Sequence, residues 1–174
     1  MSTSKDVKSI GILGFGAFGR LVAEYLHPYF EITVSDPQIL PGDHLEHGMH
    51  VGSPADVAKA DLVILAVPIE VLASSIRELR PHLRPGAIVA DVTSVKVEPV
   101  KVMKELLPAD VEIVGTHPLF GPQSSFDGIV DRKIAICPVR GSSARRIAAF
   151  LRYVLKLKVY ITTPEEHDKE AAVV

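Results

Sequence analysis

The chain has a single cysteine, Cys137, among its 174 residues, so no internal disulfide can form and a reducing cytoplasm is the expected compartment. Cys137 lies inside an apolar run and reads as a packed thiol rather than a nucleophile. No apolar stretch is long enough to cross a bilayer. The leading residues Met1-Ser2-Thr3-Ser4-Lys5-Asp6 are polar and lack the apolar core of a signal peptide. Charge of either sign is nearly balanced: a formal net charge of −2 gives no reason to expect a nucleic acid or an anionic membrane as partner. Two catalytic motifs are also missing. Without G-x-S-x-G there is no serine-hydrolase elbow, and without G-K-[ST] after the glycines there is no P-loop. What remains, 47% hydrophobic and 23% charged, is a globular composition large enough for one domain with a proper core.

The most informative stretch is Ser9-Ile10-Gly11-Ile12-Leu13-Gly14-Phe15-Gly16-Ala17-Phe18-Gly19-Arg20. Ile10, Ile12 and Leu13 suit a strand covered on both faces. Gly14, Gly16 and Gly19 form G-x-G-x-x-G, the turn that brings backbone close to a pyrophosphate at a helix N-terminus. A second apolar run, Phe30 to Val34, ends at Ser35-Asp36-Pro37, and an acid at that strand tip is placed to grip a ribose. The expected cofactor contacts are Gly14, Phe15, Gly16, Ala17, Phe18, Gly19 and Asp36. NAD is favoured over NADP because Asp36 would repel a 2′-phosphate.

Further along, a helix is expected over 17–26, closed by His27-Pro28. The loop from Pro37 to Gly48 carries His44 and His47, with His50 beyond it; their spacing does not gather three nitrogens on one face, so no metal site is read there. Ser53-Pro54 is an N-cap with proline at the first helical position, opening a helix over 55–60. The run 62–67 reads as a central parallel strand, whose end at Ala66, Val67 and Pro68 should line the cofactor groove. A helix over 69–80, a strand over 87–92, a helix over 98–107 and a strand over 111–115 follow. After these come a strand over 133–139, an amphipathic helix over 142–156 and a last strand over 157–161. This alternation predicts an α/β fold, a doubly wound, mainly parallel Rossmann sheet with helices on both faces. Thr163-Pro164-Glu165-Glu166 has the form of a capping box. Residues 1–163 therefore read as a dinucleotide-binding domain, and 164–174 as the start of a helix leading to a further domain or docking as it stands.

Two strand ends carry groups suited to catalysis, Ser94 and His117, both on the carboxyl edge shared with the glycine turn. A neutral imidazole with a pKa near the working pH suits the proton of an alcohol that gives hydride to a nicotinamide. Ser94 would hold the same hydroxyl or orient the ring, while Pro118, Gly121 and Pro122 would stiffen the loop bearing His117. On the residues alone, a structural His-Pro at a strand end remains an equal reading.

Together, Gly14-Phe15-Gly16-Ala17-Phe18-Gly19, Asp91-Val92-Thr93-Ser94-Val95-Lys96, Thr116-His117-Pro118-Leu119-Phe120-Gly121-Pro122 and Glu166-His167-Asp168 resemble the prephenate/arogenate dehydrogenase family of tyrosine biosynthesis. The resemblance covers nearly the whole chain, and the F-G-P form is closest to the arogenate-type, cyanobacterial and plant-like branch. It implies oxidative decarboxylation of prephenate or arogenate with NAD or NADP, His117 accepting the substrate hydroxyl's proton and Ser94 holding hydroxyl and imidazole. Gln123 stands where many relatives have Glu, beside the substrate side chain, which leaves prephenate against arogenate open. The family's helical C-terminal domain, which makes the dimer and closes the pocket, has no counterpart in these residues. The resemblance thus implies a homodimer or a partner supplying that domain, with cofactor binding but weak or absent turnover by this chain alone. Two alternatives stand beside it: a stand-alone NAD(P)-binding module, or a Rossmann dehydrogenase of the hydroxyacid type.

Overall fold

The computed structural model describes residues 6–173. The polar tip read above for its lack of a signal core falls largely on residues 1–5, outside the described residues, as does Val174. Eight strands form one sheet: β1 (Ser9–Leu13), β2 (Glu31–Ser35), β3 (His50–Val51), β4 (Leu62–Leu65), β5 (Ile88–Asp91), β6 (Glu112–Pro118), β7 (Lys133–Arg140) and β8 (Lys158–Ile161). Their spatial order is β3-β2-β1-β4-β5-β6-β7-β8. All pairs are parallel except β6–β7. The helices are α1 (Ala17–Leu26), α2 (Pro54–Ala58), α3 (Leu72–Leu79), α4 (Val97–Leu106), α5 (Ala144–Tyr153) and α6 (Pro164–Ala172).

Alternation along the central strands divides the core in two. Ile10, Ile12, Leu62, Ile64, Ile88 and Ala90 pack with Ala23 of α1 and Ala148 of α5 on one face. Val63, Leu65 and Val89 pack with Val57 of α2, Ile76 of α3 and Met103 of α4 on the other. A parallel strand covered by helices on both sides must be apolar at every position, which is why these segments are unbroken hydrophobic runs.

The helices expected from the sequence are present, with ends set by local chemistry. Ser53 caps α2 reciprocally: its hydroxyl accepts from the Asp56 N–H (3.2 Å), and the Asp56 carboxylate accepts from the Ser53 N–H (2.9 Å). At α6 only half of the expected box forms, with the Thr163 hydroxyl accepting from the Glu166 N–H (3.2 Å). The helix expected over 142–156 is shorter, because Glu112 binds the Ser142 N–H (2.6 Å) and the Ser143 hydroxyl before α5 begins, and Lys156 takes a left-handed φ of 59°. A further difference is in β6, expected to stop at 115 but running to Pro118. Antiparallel pairing with β7 extends it, with His117 opposite Ala135 and Pro118 opposite Ile134.

Candidate functional site

The glycine turn connects β1 to α1 at the carboxyl edge of the sheet. Gly14 has φ +98°, and a Cβ there would be driven into the Ala66 carbonyl, so both backbone conformation and space demand glycine. A Cβ on Gly19 would strike the Gly14 carbonyl, which explains how closely α1 docks on the turn. Gly16 differs, since a Cβ there would meet nothing within 4 Å. No protein atom requires glycine at this position; the space is open on the cleft side. Gly16 is also the N-cap of α1, without a side-chain cap and without an acid in the first turn. The first N–H groups of the helix and its partial positive charge thus face a cleft of about 1040 Å³, a fitting place for a pyrophosphate.

Gly14, Gly16, Ala17, Phe18, Gly19, Asp36, Ala66, Val67 and Pro68 all line that cleft, together with Thr93. Phe15 does not. Its ring is buried in the core with the Arg20 guanidinium 4.5 Å above it, and its N–H donates to the Asp36 carboxylate (2.7 Å). Asp36 also accepts from the Gln38 N–H (2.9 Å). The acid at the tip of β2 therefore fastens the glycine turn while standing at the cleft wall, and its carboxylate oxygens keep further lone pairs for a ribose.

Beyond the cleft, β5 leads to Ser94, which is exposed, and the neighbouring β6 carries His117, which is half-buried. The hydrogen-bond partner of the imidazole lies on α6 rather than at Ser94. His117 Nδ1 lies 2.8 Å from His167 Nε2, and His167 Nδ1 lies 2.8 Å from Asp168 Oδ1. Asp168 in turn accepts from the Lys96 N–H (2.7 Å) and the Val97 N–H (2.9 Å) at the start of α4. Burial acts to raise the Asp168 pKa, but these backbone bonds and His167 outweigh it and hold the carboxyl below its usual range. Burial, followed by His167 and Lys96, lowers His117 to about 4, against the upward pull of Asp91 and Asp168. The ring is thus neutral across the physiological range, further from the working pH than the expectation drawn from the sequence.

Beneath Ser94 lies an ion pair whose role sequence reasoning did not foresee, although both residues were noted as a motif. Asp91 and Lys96 are fully buried and pair directly. Asp91 also accepts from the Thr93 hydroxyl and from the Thr93 (3.2 Å) and Thr116 (3.3 Å) N–H groups. Burial pushes the Lys96 ammonium below its ordinary pKa while Asp91 resists the shift. The pair staples the loop carrying Thr93 and Ser94 to the end of β5. Gln123 is exposed on the loop after β6, and no interaction joins it to His117. Cys137 is buried opposite Gly115, its thiol raised to about 11 by burial. Among the described residues no group of three or more His, Cys, Asp or Glu is placed to hold a metal, and no helix is long and apolar enough to cross a membrane.

Comparison with known proteins shows what the chain is similar to. The family described as prephenate dehydrogenase, nucleotide-binding domain, matches residues 40–163. A probable arogenate/prephenate dehydrogenase of Methanocaldococcus jannaschii is 30% identical over 99% of this chain and 40% of its own length. Among solved structures, the arogenate dehydrogenase of Synechocystis superposes with a TM-score of 0.76 at 22% identity, covering 94% of this chain and 63% of that one. The prephenate dehydrogenase of Aquifex aeolicus, solved with hydroxyphenyl propionate and NAD+, gives a TM-score of 0.74 at 21% identity, covering 95% and 63%. The chain spans two fifths of the archaeal relative and under two thirds of either solved one.

Proposed function

Since the chain belongs to the prephenate dehydrogenase family, we propose that it binds an oxidised nicotinamide dinucleotide and serves the oxidative decarboxylation of prephenate or arogenate. The observation that carries this reading is the open cradle at Gly16, set at an uncapped helix N-terminus on the sheet edge that also carries Ser94 and His117. Residues 1–163 form the dinucleotide-binding unit in this reading. Gly14, Gly16, Ala17, Phe18 and Gly19 receive the pyrophosphate, Asp36 takes the ribose hydroxyls and so favours NAD, and Ala66, Val67 and Pro68 flank the nicotinamide side.

When bound, the nicotinamide supplies a hydride acceptor. His117 accepts the hydroxyl proton of the ring carbinol as its carbon gives up hydride, and Ser94 holds that hydroxyl in line. The ketone so formed lets the carboxylate leave as CO2, and the ring becomes aromatic. In this reading Gln123, on the loop after β6, meets the substrate side chain, where an amide suits either a keto acid or an amino acid.

Calorimetric titration of the chain with NAD+ and NADP+ tests the first half of the proposal. Saturable binding of NAD+ that Gly16→Ala weakens tenfold or more is expected. Failure of both dinucleotides to bind would sink the assignment. Following absorbance of the reduced cofactor with prephenate and with arogenate then reads out the substrate.

A further inference from the structure

The hydrogen bonds running from His117 to α4 fix where each proton resides. Asp168 is held as a carboxylate by two backbone N–H groups and the His167 ring, so it can only accept. His167 Nδ1, 2.8 Å away, must therefore carry a hydrogen and donate it. In neutral His167 this leaves Nε2 with a lone pair. That lone pair faces His117 Nδ1 at 2.8 Å, and two lone pairs cannot share so short a contact, so the hydrogen belongs to His117 Nδ1. One lone pair then remains on the His117 ring, at Nε2.

We propose that His167 and Asp168 are positioning residues that lock His117 in the Nδ1–H tautomer and so make Nε2 its proton-accepting atom. This rests on the dehydrogenase reading above only for the use to which Nε2 is put. The same chain of bonds gives the accepted proton somewhere to send its charge. When the substrate O–H bond breaks and an N–H bond forms at His117 Nε2, the hydrogen between the rings can pass from His117 Nδ1 to His167 Nε2. The number of protons on the pair rises by one, and the positive charge comes to rest on the ring adjoining the Asp168 carboxylate. An imidazole that is a weak base by itself gains basicity from this exchange.

The charged and titratable groups facing His117 are His167, Asp168, Asp91 and Lys96. The interlocking is compact: α6 buries one residue, His167, and Asp168 beside it receives the first N–H groups of α4. The sequence carries both motifs but does not say that they meet, since 117 and 167 are fifty residues apart.

Long-range 1H–15N correlation spectra of the uniformly labelled chain at pH 7, without cofactor or substrate, read the tautomer directly. The expected spectrum for His117 has a protonated, pyrrole-like Nδ1 and an unprotonated, pyridine-like Nε2. In His167→Phe the ring should revert toward the Nε2–H form that free imidazoles prefer, moving the two 15N shifts in opposite directions by tens of ppm. A parent chain whose His117 is Nε2–H at pH 7 overturns the proposal, and so does a folded His167→Phe with shifts unchanged. If that variant does not fold, the parent spectrum decides alone. The result is separable from the dehydrogenase reading: a chain with the expected tautomer that binds neither dinucleotide sinks the enzyme and leaves the lock, whereas NAD+ binding with the opposite tautomer does the reverse.

Discussion

Gly14 and Gly16 are two residues apart in one motif and do different work. At Gly14 a methyl group meets both a left-handed backbone and the Ala66 carbonyl, so Gly14→Ala should lose about 1–3 kcal/mol of stability, read as a lowered urea midpoint. At Gly16 the methyl meets only the cleft, so Gly16→Ala should keep the parent midpoint while dinucleotide affinity falls. If the two variants behave alike, the division is wrong. His117 gives the pH dependence. Its folded pKa of about 4 lies below the ordinary 6.5, so the unfolded chain binds the proton more readily. Stability from this group is complete above pH 6.5 and drains away as the pH falls toward 4. Urea midpoints of the parent should drop between pH 7 and pH 4.5, and those of His117→Asn should drop less; an equal fall in both would assign the effect elsewhere. Part of this was legible in advance: the glycines and His117 stand out because their chemistry is unusual at a strand end. Lys96 stood out only as part of a motif and not as a buried charge, because a lysine is ordinarily exposed and nothing local says that Asp91, five residues earlier, will pair with it in the core.

At the scale of elements, the joint between β5 and α4 depends on that buried pair. Lys96→Met alone leaves the Asp91 carboxylate buried beside fewer donors and should cost about 3–5 kcal/mol, whereas adding Asp91→Asn should recover much of the loss. Equilibrium unfolding of the two single variants and the double tests this; simple additivity would show that the charges do not interact. The reciprocal cap on α2 predicts about 1 kcal/mol lost in Ser53→Ala, measured the same way. Most strands and helices were readable because a parallel sheet covered on both faces writes itself as apolar runs. The end of β6 was not, because its last residues are strand only by virtue of β7, a partner later in the chain whose direction local pattern does not specify. His117 is held by that pairing with Ala135 rather than by the stiff loop that its prolines had suggested.

For the whole molecule, a dinucleotide laid across the sheet edge couples binding to folding. At a hundred times its dissociation constant a ligand adds about 2.7 kcal/mol, and for a chain of this size each kcal/mol moves Tm by about 2–4 °C. Thermal scans should therefore show a rise of roughly 5–10 °C with saturating NAD+ and less with NADP+ at the same concentration. Asp36→Ala should narrow the difference and lower the unliganded Tm as well, because the Phe15 N–H loses its acceptor. A parent that prefers NADP+ would show that Asp36 does not meet the ribose.

Helix α6 is fastened to the rest of the molecule by one buried imidazole, that of His167, and by the Asp168 carboxylate beside it, which receives the first N–H groups of α4. Under the proposed lock, anchorage and the positioning of His117 fall to the same side chains. On that reading a substitution that loosens this segment also frees the His117 ring, so damage to the one is reported by a change in the other.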